Sequence, residues 1–322
     1  MNAPLRELPK SSFDPSLARG APGFRGDWGT ALWVRAGCAH RCVFCHGYRE
    51  AVPPSTFEEL RSFLERPGKG ARRLLLYGEP LLHPRVLDIL ALARGLGFTR
   101  LEAQSSGEEL ADRGFARALA AAGLSSVSIP LYARGSLHDR IVGRPGSRAL
   151  LSRALTNLAG LKGVETWVHS VLMNVNLGEM GALRKEIEGR GMPFCVLPLH
   201  PKAEVRGVEK LLCSHREVVA RYEGTGLGLV GFPLCALGPV DPKGFARIAA
   251  SRRDPRKECH RKVEKGISDI TFGYTRMFKT VQGRACRGCA VRRLCPGVFA
   301  RHLERFGEGD LRPFASCEGR RP

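Results

Sequence analysis

Residues 74–97 read Leu-Leu-Leu-Tyr-Gly-Glu-Pro-Leu-Leu-His-Pro-Arg-Val-Leu-Asp-Ile-Leu-Ala-Leu-Ala-Arg-Gly-Leu-Gly and set the pattern for much of the chain. The apolar run Leu74–Tyr77 predicts a short buried strand. The part that follows has Pro84 in its first turn, apolar residues at helical spacing and glycines at its end, which predicts a helix near residues 84–95. A strand that leads directly into a helix is the unit from which parallel sheets are built.

The same alternation recurs on both sides of this stretch. Five further apolar runs are predicted strands: Ala31–Arg35, Thr99–Ala103, Ser126–Leu131, Thr166–Met173 and Phe194–Leu199. Helical periodicity is found near residues 56–65, 147–160, 179–190 and 214–222, and from Glu108 to Ala122. The segment around His138 is expected to be a loop. Continuous apolar strands are typical of parallel sheets covered by helices. The sequence therefore predicts an α/β fold, a partial (β/α)6 TIM-like barrel.

The alternation ends near residue 225, after which Gly, Pro, Arg, Lys and Cys dominate. We predict a flexible extension over residues 1–30, the partial barrel over 31–225 and a small cysteine-rich domain over 226–322. The 322 residues are 43% hydrophobic and 25% charged, which indicates a folded, water-soluble protein and excludes a disordered one. No apolar run is long enough for a membrane span and no export signal is visible, so a cytoplasmic protein without a membrane partner is expected.

Three cysteines follow the first predicted strand at tight spacing, as Cys38-x3-Cys42-x2-Cys45. Three thiolates this close can ligate three irons of a [4Fe–4S] cube and leave the fourth iron open. A closed tetrahedral zinc site is the alternative, and it requires a fourth ligand, for which His40 and His46 are the candidates. A position at the carboxyl end of a barrel strand, where barrels place their chemistry, favours the iron–sulfur cluster.

A second group of five cysteines lies in the C-terminal part of the chain: Cys235, Cys286, Cys289, Cys295 and Cys317. The middle three are spaced C-x2-C-x5-C and are followed directly by a proline, a pattern that wraps iron–sulfur clusters, although zinc also binds C-x2-C pairs. Four of the five suffice for one fully ligated [4Fe–4S] cluster. Cys195 and Cys213, in the barrel portion, are expected to be small buried side chains.

The first cysteine motif, with the aromatic Phe44 before its last cysteine, resembles the CxxxCxΦC pattern of the radical S-adenosylmethionine (radical SAM) superfamily. The turn Gly78-Glu79-Pro80 resembles the GGEP motif of the same superfamily, with Tyr77 in place of the first glycine. This resemblance implies that the turn contacts the amino group of S-adenosylmethionine (SAM) and that Phe44 lies beside its adenine. An ammonium group requires a carboxylate and close backbone carbonyls, which a Gly-Glu turn offers.

The fourth predicted strand and the His138-Asp139 segment after it resemble a strand-and-loop segment of peptide-modifying radical SAM enzymes. In those enzymes a strand serine and a downstream arginine hold the carboxylate of SAM. By position, the resemblance assigns these roles to Ser128 and Arg144, with Arg140 as the competing arginine. His138 and Asp139 are expected to cap or pack rather than to act as acid–base catalysts.

The resemblance implies the cofactors and the chemistry as well. The cofactors are a [4Fe–4S] cluster with an open iron, SAM and, by similarity to the C-terminal SPASM and twitch domains, a second [4Fe–4S] cluster. Reductive cleavage of SAM gives a 5′-deoxyadenosyl radical that abstracts a hydrogen atom from the substrate, with a reductase, ferredoxin or flavodoxin as electron donor. Similarity to peptide maturases, such as those of the His-Xaa-Ser system, implies a peptide or protein side chain as substrate. Because residues 1–30 alone precede the first strand, we expect the peptide to be bound either by a separate recognition protein that presents it or by the barrel itself.

The charge keeps a second substrate class open. The chain has 51 Lys and Arg against 31 Asp and Glu, with 15 basic and 4 acidic residues between Lys243 and Arg293. Basic regions bind phosphates, so RNA, a nucleotide or another anionic small molecule is the alternative substrate, although few aromatic residues lie there to stack on bases. A non-catalytic, zinc-bearing nucleic-acid binder explains the cysteines and the charge, but neither the Gly-Glu-Pro turn nor the six strand–helix units.

Overall fold

The computed structural model describes residues 30–34, 37–45, 54–65, 72–201, 205–223, 225, 227–229, 231–237, 280–289, 292, 295 and 297–314. Six strands form one sheet: β1 (Thr30–Trp33), β2 (Arg73–Tyr77), β3 (Arg100–Gln104), β4 (Leu124–Pro130), β5 (Glu165–Leu172) and β6 (Phe194–Pro198). They lie side by side in chain order, and every neighbouring pair is parallel. This arrangement confirms the predicted α/β fold with a partial barrel.

Seven helices accompany the six strands: α1 (Phe57–Glu65), α2 (Val86–Gly95), α3 (Arg113–Ala121), α4 (Gly135–Val142), α5 (Ser147–Ala159), α6 (Met180–Glu188) and α7 (His215–Tyr222). The predicted helix from Glu108 to Ala122 is wrong in one respect, because a 3-10 turn over Glu108–Ala111 precedes α3. The carboxylate of Asp112 between them accepts hydrogen bonds from the N–H groups of Gly114 and Phe115 (2.7 and 3.0 Å). Asp112 therefore starts a new helix.

Helix α4 corrects a second expectation, because it occupies the segment around His138 that was predicted to be a loop. Its buried residues His138, Ile141 and Val142 follow helical spacing, and it ends at Gly143, whose φ is 65°. Arg134, which precedes the helix, makes no side-chain hydrogen bond as a cap. The usual signal for a helix start is therefore missing from the sequence.

One face of the sheet is apolar and lies against the helices. Side chains alternate between the two faces of a strand, and on this face every second residue is buried. The strands contribute Leu74, Leu76, Leu101, Val127, Ile129, Val168 and Val196, and the helices pack Ile89, Leu90, Leu119, Leu151, Leu155 and Leu183 against them. Each such side chain contributes about 1.5–3 kcal/mol through burial. This layer fixes the sheet and, with it, the positions of the carboxyl ends of the strands.

The opposite face of the sheet carries an ion-pair network near its amino end. The Nε atoms of Arg73 and Arg100 lie 2.7 and 2.6 Å from the carboxylate of Glu102. Arg100 also reaches Glu165 on β5 with an Nη2–Oε2 distance of 2.6 Å. These contacts place the charges of β2, β3 and β5 on one face and neutralise them there.

The described part of the C-terminal region contains short 3-10 turns and a short antiparallel pair, β7 (Thr280–Val281) and β8 (Val298–Phe299), which is followed by α8 (Ala300–Phe306). The carboxylate of Asp310 joins this region to the barrel, because it accepts hydrogen bonds from the backbone N–H groups of His215 and Arg216 at the start of α7 (2.7 and 3.1 Å). The division into residues 31–225 and 226–322 stays a prediction, and residues 1–29 lie outside the described part. No helix among the described residues is long and apolar enough to cross a bilayer.

Candidate active site

The first cysteine loop follows β1 and rests on the end of α4. The backbone N–H groups of Arg41 and Val43 donate to the carbonyls of Val142 and Ile141, at 2.8 and 3.0 Å. The last carbonyls of a helix have no partner within the helix, so the loop satisfies groups that would otherwise need water. A Cβ atom on Gly143 would lie 2.9 Å from the carbonyl oxygen of Arg41, so this glycine permits the close approach.

The three thiols of this loop share one small region with a carboxylate. Burial raises the pKa of Cys42 well above its usual range, and the neighbouring Cys45, Cys38 and Glu79 raise it further. Desolvation and then Glu79 raise the pKa of Cys38 to about 11. A metal cluster would stabilise these groups as thiolates, because its positive charge opposes the effects that raise their pKa values. Three neighbouring thiols on one loop fit a [4Fe–4S] cluster with one open iron.

The Gly78-Glu79 turn after β2 has an unusual backbone. Gly78 has a φ of 85°, and Glu79, with a φ of 66°, is the one residue other than glycine with a positive φ among those the structure describes. Such a conformation costs about 1–3 kcal/mol and is found mostly at functional sites. Oε2 of Glu79 accepts hydrogen bonds from the Ser105 hydroxyl and the Ser106 N–H group, both at 2.8 Å. Pro80 is buried and begins the 3-10 turn that follows.

No role for Ser105 and Ser106 could be read from the sequence. Their position directly after β3, one strand along from the Gly-Glu-Pro turn, was the available signal, because the carboxyl ends of neighbouring parallel strands meet at one edge of the sheet. In the structure they hold the carboxylate of Glu79, whose charge also acts on the thiols of Cys38 and Cys42. The cysteine loop and the Gly-Glu turn therefore form one site.

A buried polar network lies on the other side of the cysteine loop. Nε2 of His40 donates to Oε1 of Glu108 at 2.6 Å, and Nε of Arg144 lies 3.1 Å from the second oxygen of Glu108. Burial alone would raise the pKa of Glu108, but hydrogen bonds from His40 and Ser147 and the charge of Arg144 lower it overall. In the structure Nε2 of His40 is thus hydrogen-bonded to a carboxylate, and His46 lies outside the described residues.

Aromatic rings close the same side of the site. The ring of Phe44 meets the ring of Tyr132 edge to face, with centroids 5.2 Å apart, and Tyr132 stacks on His138. Burial lowers the pKa of His138 to about 4, so its ring is neutral at pH 7. Nδ1 of His138 accepts from the N–H group of Tyr132 at 3.2 Å, which leaves the proton on Nε2, 3.3 Å from the hydroxyl of Ser147. A place for adenine beside Phe44 stays a prediction.

Asp139 and Arg140, the neighbours of His138, take local structural positions. The carboxylate of Asp139 accepts from the N–H groups of Gly146 and Arg148 at 2.7 Å each, which caps the start of α5. Arg140 donates to the hydroxyl of Ser136 at 2.9 Å on the exposed side of α4. The structure therefore brings Arg144 to the polar network and leaves Arg140 outside it.

Ser128 lies on the polar face of β4. Its hydroxyl is 3.0 Å from Nδ1 of His169 on β5, and its carbonyl accepts from the N–H group of Ser105 at 3.3 Å. Ser128 thus contacts Ser105, which donates a hydrogen bond to Glu79. Arg144 contacts Glu108 near the cysteine loop. That Ser128 and Arg144 bind the carboxylate of SAM stays a prediction.

Four cysteines of the second group come together in the structure. The four that line one cavity are Cys235, Cys286, Cys289 and Cys295. Most of its remaining walls are apolar and include Pro233, Val298, Leu311 and Phe314. Burial, followed by Cys295 and Cys286, raises the pKa of Cys235 to about 11. The fifth candidate, Cys317, lies outside the described residues.

Backbone groups also point to the sulfur atoms of this cavity. The N–H groups of Leu234 and Gly297 donate to Sγ of Cys295, at 3.4 and 3.5 Å. Hydrogen bonds of this kind are common around iron–sulfur clusters and tune their potentials. Four thiols in an apolar cavity fit a fully ligated cluster.

The matched family decides what kind of domain this is. Residues 34–187 match the model of the Radical SAM superfamily, and this range contains Cys38, Cys42 and Cys45. Residues 34–187 therefore resemble a radical SAM domain. A domain of this family indicates an enzyme, and the family implies a [4Fe–4S] cluster and SAM as cofactors. The second cysteine group lies beyond the matched range.

Several solved structures are similar to part of the chain at low sequence identity, whereas no curated protein matched it. The chain is 16% identical to anSMEcpe with bound AdoMet and Kp18Cys peptide, over 60% of this chain and 57% of that one, with a TM-score of 0.49. The chain is 15% identical to TYW1 with a lysine–pyruvate adduct bound, over 60% of this chain and 69% of that one, with a TM-score of 0.38. It is 17% identical to the radical SAM methyltransferase TsrM from Kitasatospora setae, with tryptophan and aza-SAM bound, over 52% of this chain and 35% of that one, with a TM-score of 0.40.

Proposed function

We propose that this radical SAM enzyme modifies an uncharged side chain of a peptide or protein, in the manner of a peptide maturase. When bound, the reduced cluster and SAM supply the radical that removes a hydrogen atom from the substrate. Cys38, Cys42 and Cys45 would hold the cluster. Glu79 would bind the amino group of SAM and, with Gly78 and Pro80, shape that pocket. Ser128 and Arg144 would bind its carboxylate, and Phe44 would contact its adenine.

The observation that carries the substrate class is the lack of net charge on the polar face of the sheet. The strand register places these residues on that face beyond the ion pairs: Leu75, Tyr77, Gln104, Ser126, Ser128, Pro130, Trp167, His169, Val171, Cys195 and Leu197. The basic residues of this face in the described strands, Arg73 and Arg100, are paired with glutamates. Burial lowers the pKa of His169 to about 4, so its ring adds no charge at pH 7.

A phosphate would be poorly accommodated on such a face. Burying an anion without a cation or a full set of hydrogen-bond donors costs several kcal/mol. An uncharged side chain would meet aromatic and aliphatic residues with a few hydrogen-bonding groups, which is the common composition of a specific pocket. This contrast supports a peptide over RNA or a nucleotide. Most of the basic region from Lys243 to Arg293 lies outside the described residues.

The proposal includes a second [4Fe–4S] cluster in a SPASM- or twitch-like C-terminal domain. Its support is the cavity that Cys235, Cys286, Cys289 and Cys295 line, because four thiols occupy every iron and leave no open site. Such a cluster would carry electrons, which must enter from an external reductase, ferredoxin or flavodoxin.

The test uses anaerobically reconstituted protein, which should hold roughly eight irons, as two cubes require. The protein is incubated with reductant, SAM and either a tryptic digest of the host proteome or host total RNA. We expect the peptides, and not the RNA, to raise 5′-deoxyadenosine above the level without substrate. Mass spectrometry should then find a modified peptide that is absent when Cys42→Ala replaces the wild type. Stimulation by RNA alone would favour the anionic substrate class instead.

A further inference from the structure

We propose that Glu108 is a positioning residue that joins the cysteine loop to Arg144. In this arrangement the loop that holds the cluster and the arginine that binds the carboxylate of SAM are set by one buried carboxylate. The inference rests on the proposed role of Arg144 and extends it to a residue that the cysteine, Gly-Glu-Pro and serine–arginine motifs do not contain.

Glu108 is placed to connect distant parts of the chain. It is the first residue of the 3-10 turn after β3, and its side chain is only 4% exposed. Its carboxylate is contacted by His40 from the cysteine loop, by Arg144 from the connection between α4 and α5, and by Ser147 at the start of α5. Loss of the charged partner of a buried carboxylate strongly destabilises a folded protein. Glu108 therefore requires these contacts.

His40 connects the cysteine loop to Glu108. Its backbone N–H group donates to Sγ of Cys38 at 3.4 Å, while its ring donates to Glu108 at 2.6 Å. It lies two residues from both Cys38 and Cys42. A shift of the cysteine loop would therefore move the hydrogen bond that Glu108 accepts.

Arg144 contacts the second oxygen of the Glu108 carboxylate. Its contact with the carboxylate is made through Nε at 3.1 Å, and its side chain is 37% exposed. A guanidinium group has four N–H donors besides the one on Nε, in a rigid plane. Fixing Nε orients this plane, which is what two-point recognition of a second carboxylate requires. Glu108 thus prepares Arg144 for the carboxylate of SAM.

The experiment compares SAM binding in Glu108→Gln with that in wild type, both reconstituted anaerobically. SAM affinity is measured by calorimetry, and the EPR spectrum of the reduced cluster is recorded with and without SAM. Positioning predicts unchanged iron content, SAM affinity lowered about tenfold or more, and a weaker SAM-induced change in the EPR spectrum. The matched control is Glu186→Gln, which removes another Arg–Glu pair of α5 and α6, with Arg148 at 2.5 Å, and should leave SAM affinity unchanged.

Two outcomes would overturn the inference. Unchanged SAM affinity in a folded, iron-loaded Glu108→Gln would show that the network serves the fold alone. Tighter binding would show that Glu108 competes with SAM for Arg144. Should Glu108→Gln fail to fold, Ser147→Ala keeps both charges and removes one hydroxyl, which contacts Glu108 and lies 3.3 and 3.4 Å from Nε2 of His138 and of His40. This variant must still weaken SAM binding, and unchanged affinity would refute the inference. Wild type that binds no SAM would contradict the proposed function itself.

Discussion

The two cysteine groups differ in what surrounds their sulfur atoms. The first has three thiols beside held polar groups, among them Glu79 with its serine donors and Glu108 with its ion pairs. The second has four thiols in a mostly apolar cavity with backbone N–H donors. Three thiols and a set of polar side chains leave one position for a polar ligand, whereas four thiols close the site. This difference supports the proposal that the chemistry takes place at the first group and that the second group serves electron transfer.

The two groups also differ in how they are attached to the fold. The first lies at the carboxyl ends of parallel strands and on the end of α4, which a large apolar core holds in place. Cys286 of the second lies on a short 3-10 turn, where Glu308 accepts from the N–H groups of Arg284 and Ala285 at 2.7 and 2.8 Å. The geometry of the first group is thus set by the sheet, and that of the second by local turns.

The largest expected effect separates the groups by matched substitutions, Cys42→Ala and Cys289→Ala. Each should remove one cluster and lower the iron content from roughly eight to roughly four per chain. Cys42→Ala should abolish 5′-deoxyadenosine formation, because the SAM-binding cluster is lost. Cys289→Ala should still cleave SAM while losing the modified peptide. Iron analysis and chromatography of the products provide the measurements.

The comparison would break in either of two ways. If Cys289→Ala also abolished SAM cleavage without loss of folding, the second cluster would be required for the first electron transfer. If it kept the full iron content, the second group would not be an iron–sulfur site, and zinc analysis would then decide between zinc and bare thiols. Circular dichroism of both variants controls for misfolding.

A smaller effect is expected from Gly143→Ala, which acts on the docking of the first loop. The φ of 65° strains any residue with a Cβ, and that Cβ would lie 2.9 Å from the carbonyl of Arg41. We expect a loss of about 1–3 kcal/mol in the free energy of unfolding and a reduced iron content at the first group alone. Gly146→Ala is the control, because Gly146 has a φ of 81° but no atom within 4 Å of its Cβ. Equal iron loss in both variants would contradict the docking role.

Much of this fold and both cysteine groups were predictable from the sequence, because their signals are local. Apolar runs indicate strands, and cysteine spacing indicates ligands. Helix α4 was not predictable, since no capping side chain marks its start and its polar residues resemble a loop. The contact of His40 with Glu108 joins residues 68 positions apart, which no spacing pattern reveals. The break at Asp112 was readable in principle, because aspartate is a frequent N-cap.

The smallest expected effect is a loss of stability at acidic pH. It comes from buried neutral histidines in the barrel and at its junction with the C-terminal region. Burial lowers the pKa values of His138 and His169, in the barrel, to about 4. Burial and the neighbouring His302 lower that of His215, beside the C-terminal region, to about 3. Below pH 6.5 the unfolded chain binds protons at these residues that the folded chain does not bind, so the free energy of unfolding decreases as the pH falls.

His215→Phe measures how much of this pH dependence of stability comes from the junction between α7 and the C-terminal region. Nδ1 of His215 lies 3.5 Å from Asp310, too far for a strong hydrogen bond, so phenylalanine keeps the stacking on His302 at little cost. Each histidine that stays neutral in the folded protein contributes about 1 kcal/mol between pH 6.5 and pH 5.5, because the unfolded histidine is only partly protonated over this range. With three such residues described, the variant should lose about a third of the destabilisation that wild type shows between pH 6.5 and pH 5.5. Anaerobic thermal unfolding at both pH values measures it. An unchanged slope would mean that His215 is already protonated in the folded protein, and that the junction between α7 and the C-terminal region is held by an ion pair rather than by neutral stacking.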